Sequence, residues 1–162
     1  MVGLFLGDIM LMFEEIKDII LYNQNNQLIN IKDFKDKKVL IYFFPKALTS
    51  ACSLEAIKYQ ELIEEFRQLD VEVVGISKDS VKNLKKFSDK HSLDFNLLSD
   101  SDLEVAKYFG AYGLKKLYGK EYYGIIRSTF LLDINKRLCF QNYKVKAAND
   151  ANEMLAFVKN YK

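Results

Sequence analysis

Two short apolar runs, VLIYFF at 39–44 and VEVVGIS at 71–77, enclose a stretch whose apolar residues recur at helical spacing. Both runs are rich in β-branched or aromatic residues, and Pro45 ends the first, so we predict two buried strands. The stretch between them predicts an amphipathic helix over 53–69. A chain that alternates buried strands with helices in this way is typical of a layered α/β sheet.

The remainder of the chain continues the alternation. We predict a helix, a short strand, a helix, the two strands of a hairpin and a last helix, at 80–91, 96–100, 102–110, 125–133, 138–147 and 150–160. Upstream, 28–34 is predicted as a short strand and turn. This order indicates an α/β protein with a thioredoxin-like fold, a mixed central sheet with helices on both faces. No repeat or Pro/Gly linker divides the chain, so we expect residues 1–162 to form a single domain, with residues 1–11 as an extension outside the core.

The charged residues are balanced, with 24 Lys and Arg against 22 Asp and Glu. No basic stripe stands out, so nucleic acid is not expected as a partner. The N-terminal run MVGLFLGDIMLMF contains Asp8, lacks a basic start and is too short to cross a bilayer, so we expect neither a signal peptide nor a membrane segment. One histidine, and two cysteines without a CxxC pair, argue against a metal site or a disulfide scaffold. We therefore expect a cytoplasmic protein that uses no metal and no cofactor.

Cys52 lies where the first buried strand gives way to the helix. A helix N-terminus presents N–H groups without intrahelical partners and the positive end of the helix dipole, and both favour thiolate over thiol. The thiolate is the nucleophilic form of cysteine. Thr49 stands close enough in the chain to donate its hydroxyl to the sulfur or to a bound oxygen. Position alone leaves a second interpretation open, in which Cys52 is a small apolar residue buried at the start of a helix.

The string PKALTSAC at 45–52 has the form Pro-x-x-x-Thr-x-x-Cys. It resembles the active-site motif of the peroxiredoxin family, and the chain from about Leu28 to Tyr161 is similar to the Q-type, or bacterioferritin comigratory protein, branch of that family. A second match is Arg127, which stands in the Arg-Ser-Thr-Phe context of the family's active-site arginine. Several family motifs occur in the same order over most of the chain, which makes the resemblance specific.

The resemblance implies a thiol-dependent peroxidase and gives roles to five residues. Cys52 would be the peroxidatic cysteine, which becomes a sulfenic acid as it breaks the O–O bond of hydrogen peroxide or an organic hydroperoxide. Arg127 would place a permanent positive charge beside the thiolate, Thr49 would hold the peroxide oxygens, and Pro45 would shield the pocket. Glu55 matches the family's Cys-x-x-Glu and would orient Arg127. A second interpretation of Glu55 is a first-turn acid favoured by the helix dipole.

The chain departs from the family pattern at the positions that serve recycling. Many Q-type members carry a resolving cysteine five residues after the peroxidatic one, where this chain has Ile57, and the predicted helix 80–91, the other usual place, has no cysteine. Cys139 is expected to be a buried, inert strand residue. We therefore predict a one-cysteine peroxidase that is recycled by an external thiol such as thioredoxin or glutaredoxin with glutathione, and that is a monomer or a weak homodimer. The alternative is a peroxide-sensing redox protein, whose oxidised Cys52 passes a disulfide to a partner protein.

Overall fold

The computed structural model describes residues 12–161, so the N-terminal extension expected over residues 1–11 lies outside the described range. The strands are β1 (Ile20–Asn23), β2 (Leu28–Asn30), β3 (Lys38–Phe43), β4 (Val71–Ser77), β5 (Asn96–Ser99), β6 (Tyr112–Leu117), β7 (Lys120–Ile125), β8 (Ser128–Leu132) and β9 (Leu138–Asn142). The helices are α1 (Ser50–Glu61), α2 (Ile63–Gln68), α3 (Val81–His91), α4 (Glu104–Tyr108) and α5 (Asp150–Asn160), with a 3₁₀ turn at Ile31–Asp33. No helix in the described range is both long and apolar enough to cross a membrane.

Most of the strands form one mixed sheet, in the order β2-β1-β5-β4-β3-β8-β9. The inner strands β3, β4 and β5 run parallel to one another, and antiparallel pairs flank them on both sides. β3 is an inner strand, hydrogen-bonded to β4 on one side and to β8 on the other, and nearly all of its residues are buried. The predicted mixed sheet is confirmed.

Helices cover both faces of this sheet, each above its own apolar core. On one face α1, α2, α3 and α5 pack against Leu40 and Tyr42 of β3. On the other face α4 and the 3₁₀ turn pack against Val39 and Phe43. The alternation follows from the two-residue period of a strand. It leaves Tyr42 on the side of α1, where its ring stacks on Tyr59 with 4.6 Å between ring centroids.

The helix predicted over 53–69 differs from the observed one at its start and in its middle. It begins earlier, at Ser50, so Cys52 lies inside the first turn of α1. It is interrupted at Leu62, whose N–H bonds to Tyr59 O three residues back, a tighter 3₁₀-type turn in place of the α-helical bond. The chain then continues as α2.

The strand predicted over 125–133 corresponds to β8 (Ser128–Leu132), which begins later than predicted, and the first residue of the predicted range, Ile125, is the last residue of β7. β7 and β8 are separated by residues 126–127, so Arg127 lies in the break between them. β7 pairs with β6 as a separate two-stranded hairpin, which has no counterpart among the predicted elements. Its turn residues Tyr118 and Gly119 both have positive φ, 51° and 78°, as a type I′ turn requires.

The remaining predicted elements occur close to their expected bounds. β9 ends at Asn142 rather than at 147, and α4 covers only the middle of 102–110. Gly110, which follows the end of α4, has a φ of 72°, the left-handed conformation that commonly ends a helix. Strand β1 has no counterpart in the predicted elements.

Candidate active site

Cys52 lies in the first turn of α1 and is only 1% exposed. Thr49 precedes the helix with an extended backbone, and the first intrahelical bond runs from Ser53 N to Thr49 O at 2.9 Å. The N–H groups of the first turn therefore point out of the helix end without helical acceptors. These groups and the helix dipole favour a negative charge on Cys52 Sγ.

Arg127 joins Cys52 to Glu55. Its Nη2 donates to Cys52 Sγ at 3.2 Å, and its Nη1 donates to Glu55 Oε1 at 2.5 Å. The side chain of Arg127 is 16% exposed, whereas that of Glu55 is fully buried. Because the guanidinium group is always protonated, it places a permanent positive charge against the cysteine sulfur. The break between β7 and β8 makes this contact possible, since it frees Arg127 from the alternation of a continuous strand.

Glu55 lies in the second turn of α1 and has its side chain inside the core. The interpretation of this residue as a first-turn acid favoured by the helix dipole is therefore wrong, because the helix begins at Ser50 and has no acidic residue in its first turn. A buried carboxyl group needs partners, and Arg127 supplies one of them.

Thr49 is close to Cys52 in the chain, but its hydroxyl is directed elsewhere in this structure. Thr49 Oγ1 donates to Lys46 O at 2.9 Å and does not cap the helix. The expected donation from Thr49 to the cysteine sulfur is thus not what the structure has. The bond instead closes the loop that leads to α1, in which Leu48 holds a left-handed backbone with a φ of 68°. Sparsely populated backbone conformations of this kind are common at functional sites.

Pro45 is half-buried and forms part of the wall of a cavity of about 240 Å³. The other lining residues come from the loop, from the end of β4 and from the β6–β7 hairpin, and they are Lys46, Lys78, Lys115, Tyr122, Tyr123, Gly124 and Ile125. Lys115 Nζ donates to Ile125 O at 2.8 Å, and burial together with the charge of Arg127 lowers the pKa of Lys115. The cavity beside the loop of Cys52 is therefore cationic and aromatic. A larger cavity of about 500 Å³ lies between the β1–β2 turn and α3, and none of the site residues line it.

Asp79 is a site-positioning residue that the sequence analysis does not identify. Its carboxylate is 9% exposed, and Oδ2 accepts hydrogen bonds from Ala47 N and from Ser77 Oγ, each at 2.8 Å. Asp79 follows the end of β4, and Ala47 belongs to the loop before α1, so this carboxylate ties the loop to the sheet. The position just past the end of a parallel strand is where α/β proteins place such groups, and it is the signal that could have identified Asp79.

His91 and Cys139 lie outside this constellation. His91 Nε2 is 3.1 Å from Ser53 Oγ on the outer side of α1, and its ring packs edge-on against Phe87. Cys139 is half-buried on β9 rather than fully buried, and its Sγ donates to Leu131 O at 3.4 Å. Burial raises the pKa of the Cys139 thiol.

Comparisons with known proteins point to one family. The family model described as AhpC/TSA matches residues 12–140. Peroxiredoxin Bcp of Bacillus subtilis (strain 168) is 37% identical over 147 residues, which cover 91% of this chain and 94% of that protein. Peroxiredoxin Bcp of Escherichia coli (strain K12) is 36% identical over 139 residues, which cover 86% of this chain and 89% of that protein.

Solved structures agree with the sequence matches. A PrxQ mutant from Xylella fastidiosa superposes with a TM-score of 0.86 at 30% identity, over 91% of this chain and 94% of that one. The bacterioferritin comigratory protein of Xanthomonas campestris superposes with a TM-score of 0.82 at 33% identity, over 87% of this chain and 90% of that one. These matches confirm the predicted thioredoxin-like fold.

The matched region includes the cysteine at a helix N-terminus and its arginine, so sequence, fold and local geometry lead to the same assignment. Members of this family react with a peroxide and are restored by a thiol. The chain therefore belongs to the AhpC/TSA family as a peroxiredoxin of the Bcp type, a thiol-dependent peroxidase.

Proposed function

We propose that Cys52 is the peroxidatic cysteine and that the enzyme reduces hydrogen peroxide and organic hydroperoxides. The observation that carries this proposal is the 3.2 Å contact between Arg127 Nη2 and Cys52 Sγ in the first turn of α1. A fixed cation and a helix N-terminus at one sulfur are the surroundings in which a cysteine becomes a nucleophile. The Xanthomonas campestris bacterioferritin comigratory protein has alkyl peroxide reduction activity, which supports organic hydroperoxides as substrates here.

In the proposed reaction, the Cys52 thiolate attacks one peroxide oxygen and the O–O bond breaks. Cys52 becomes a sulfenic acid, and the departing alkoxide or hydroxide takes up a proton to leave as alcohol or water. Arg127 and the first-turn N–H groups stabilise the negative charge that moves onto the leaving oxygen. Thr49 holds a peroxide oxygen once its hydroxyl turns away from Lys46 O, and Pro45 forms a wall of the approach.

The recycling step uses no second cysteine of this chain. An external thiol attacks the Cys52 sulfenic acid, water leaves, and a mixed disulfide forms. A second thiol then releases Cys52 and carries away the disulfide. Thioredoxin, or glutaredoxin with glutathione, has the thiols that this scheme requires. Ile57 at the usual resolving position and the position of Cys139 on β9 support the one-cysteine scheme.

The test is peroxide consumption by the wild type, Cys52→Ser and Cys139→Ser, with thioredoxin, glutaredoxin plus glutathione, and dithiothreitol compared as donors. We expect Cys52→Ser to be inactive with every donor and Cys139→Ser to retain turnover. Activity in Cys52→Ser would contradict the assignment of the nucleophile, and loss of activity in Cys139→Ser would contradict the one-cysteine scheme. A wild type that consumes one equivalent of peroxide and turns over with none of the three donors would favour the redox-sensor alternative.

A further inference from the structure

A group of polar side chains lies inside the core behind Arg127. They come from three different elements, and each is at most 2% exposed: Glu55 and Tyr59 of α1, Thr129 of β8 and Asp150 of α5. None of them reaches the cavity at the mouth of the site. Buried polar groups of this kind are retained only when they are well paired, so their pairing indicates what they do.

The hydrogen-bond donors are unequally divided between the two carboxyl groups. Asp150 Oδ2 accepts from Tyr59 Oη at 2.6 Å and from Thr129 Oγ1 at 2.7 Å. Glu55 receives only Arg127, on Oε1. Within residues 12–161, no N–H or O–H group donates to the buried Oε2 of Glu55. An oxygen in that position is well placed to carry a proton itself, and the neighbouring acceptor is the Asp150 carboxylate.

The charges in this cluster do not balance when every acid is ionised. A thiolate at Cys52 together with Glu55 and Asp150 would give three negative charges, and Arg127 is the one cation that forms an ion pair with this group in the described chain. Uncompensated charge in the core is strongly unfavourable. A proton on one of the two carboxyl groups would relieve the excess.

The groups that surround the cluster do not remove this excess. On β3, the hydroxyl of Tyr42 is buried without a partner among the described residues, and burial raises the pKa of Tyr42 well above its usual value, so it stays neutral. Lys115 of β6 lies on the cavity side, towards Arg127 and Cys52. Glu153 of α5 adds further negative charge near the cluster.

The two carboxyl groups differ in the interactions that favour their protonated forms. Burial raises the pKa of Glu55 well above its usual range and the charge of Asp150 raises it further, whereas the charge and hydrogen bond of Arg127 oppose the rise. Burial also raises the pKa of Asp150, but the hydrogen bonds from Tyr59 and Thr129 oppose that rise. Two hydrogen bonds therefore stabilise the charged form of Asp150, whereas Glu55 receives only the one from Arg127.

We propose that Asp150 is a positioning residue for Arg127: it carries the negative charge of the buried carboxyl pair, so that Glu55 stays protonated and the charge of Arg127 acts on Cys52. This rests on the proposed role of Cys52 as the peroxidatic thiolate. A protonated Glu55 still accepts a hydrogen bond from Arg127 and holds it in place. It does not cancel the guanidinium charge, as an ionised Glu55 would.

The test is a cycle of isosteric variants, Asp150→Asn, Glu55→Gln and the double variant, with the pH dependence of Cys52 alkylation as the readout. In Asp150→Asn the negative charge moves to Glu55, beside Arg127. We expect the midpoint of the pH profile to shift upward by roughly one pH unit. The double variant, which removes both charges, should reverse that shift. A purely structural role for Asp150 predicts the opposite, because the double variant would then be at least as impaired as Asp150→Asn.

Infrared spectra of the reduced protein give a second readout that does not depend on activity. We expect the C=O stretch of a buried protonated carboxylic acid in the wild type and its loss in Glu55→Gln and in Asp150→Asn. A band that persists in Glu55→Gln would put the proton on Asp150 and overturn the proposal, as would an unshifted pH profile in Asp150→Asn. These outcomes are separate from the fate of Cys52→Ser, which tests the nucleophile alone.

Discussion

At the scale of single residues, one side chain contacts both Cys52 and Glu55. Arg127 donates one N–H group to Cys52 Sγ and another to Glu55 Oε1. A planar guanidinium can make both contacts at once because its donors are held in a rigid fork. The ammonium group of a lysine has the same charge but is a single point, so it cannot hold both partners in this geometry. The geometry and the charge of Arg127 are therefore separable contributions.

The first residue-scale prediction separates them. We expect Arg127→Ala to slow the reaction of Cys52 with peroxide by roughly 10²-fold, the scale of losing one oxyanion-hole donor. Arg127→Lys should also be impaired, although it keeps the charge, because it loses the fork. Stopped-flow measurement of the peroxide reaction is the test, with Arg137→Lys at an exposed position as the matched control. Wild-type rates in both Arg127 variants would contradict the role given to this residue.

The residues nearest the chemistry could be predicted from the sequence, and those behind them could not. Cys52 and Arg127 stand in short motifs with local spacing. Asp150 meets Tyr59 and Thr129 only after α5 and β8 have packed against α1, and no local pattern links these distant positions. The direction of the Thr49 hydroxyl could not be predicted from the sequence either, because it depends on the backbone conformation of the loop and not on the spacing of residues along the chain.

At the scale of elements, the site depends on how the loop before α1 is held. Asp79, which follows the end of β4, accepts a hydrogen bond from Ala47 N in that loop and another from Ser77 Oγ. Both bonds are buried, so removal of the carboxylate would leave donors unpaired in the core. The loop would then lose its attachment to the sheet, and the start of α1 would be less well placed against Arg127.

We therefore predict that Asp79→Ala lowers the free energy of unfolding by about 1–3 kcal/mol, the usual cost of a buried donor left unpaired. It should also slow the peroxide reaction at temperatures where the protein is fully folded. Denaturant titration and stopped-flow kinetics measure the two effects. Asp79→Asn keeps an oxygen that can accept from Ala47 N, so its effects on stability and rate should be smaller. The control is Asp89→Ala, at an exposed position on α3, which should change neither quantity appreciably. Equal effects of Asp79→Ala and Asp89→Ala would contradict the role of Asp79.

Most elements could be predicted because their apolar residues follow the period of a strand or helix. The bounds of β4 are as predicted, and β3 and α3 differ only at their ends. The β6–β7 hairpin is different, since its residues are largely exposed and give no buried stripe. Its one local signal is the Tyr118-Gly119 turn. The break at Leu62 has no Gly or Pro to mark it, so packing alone decides it.

At the scale of the whole molecule, Cys52 and Cys139 lie on the same face of the sheet but at different positions along its strands. Cys52 is held by Arg127, at the end of β3 marked by Phe43. Cys139 bonds to Leu131, whose partner on β3 is Leu40. From Leu40 to Phe43 the strand rises by about 10 Å, and β9 lies one strand beyond β8. A disulfide requires Cα atoms within about 7 Å of each other, so the two cysteines cannot meet without local unfolding.

The last prediction follows from this separation. After one equivalent of peroxide, we expect Cys52 to persist as a sulfenic acid that a sulfenic-acid reagent traps, to the same extent in the wild type and in Cys139→Ser. Under the proposed one-cysteine scheme no thiol of the same chain intercepts the sulfenic acid, so an excess of peroxide should oxidise it to sulfinic acid, which ordinary thiols do not reverse. Mass spectrometry distinguishes these products, and Cys52→Ser, which lacks the reacting sulfur, is the control.

A wild type that loses two hydrogens, while Cys139→Ser instead gains oxygen, would reveal a Cys52–Cys139 bridge and contradict the one-cysteine scheme. Because a disulfide requires the two Cα atoms to come within about 7 Å of each other, such a bridge would require local unfolding around one of the two cysteines.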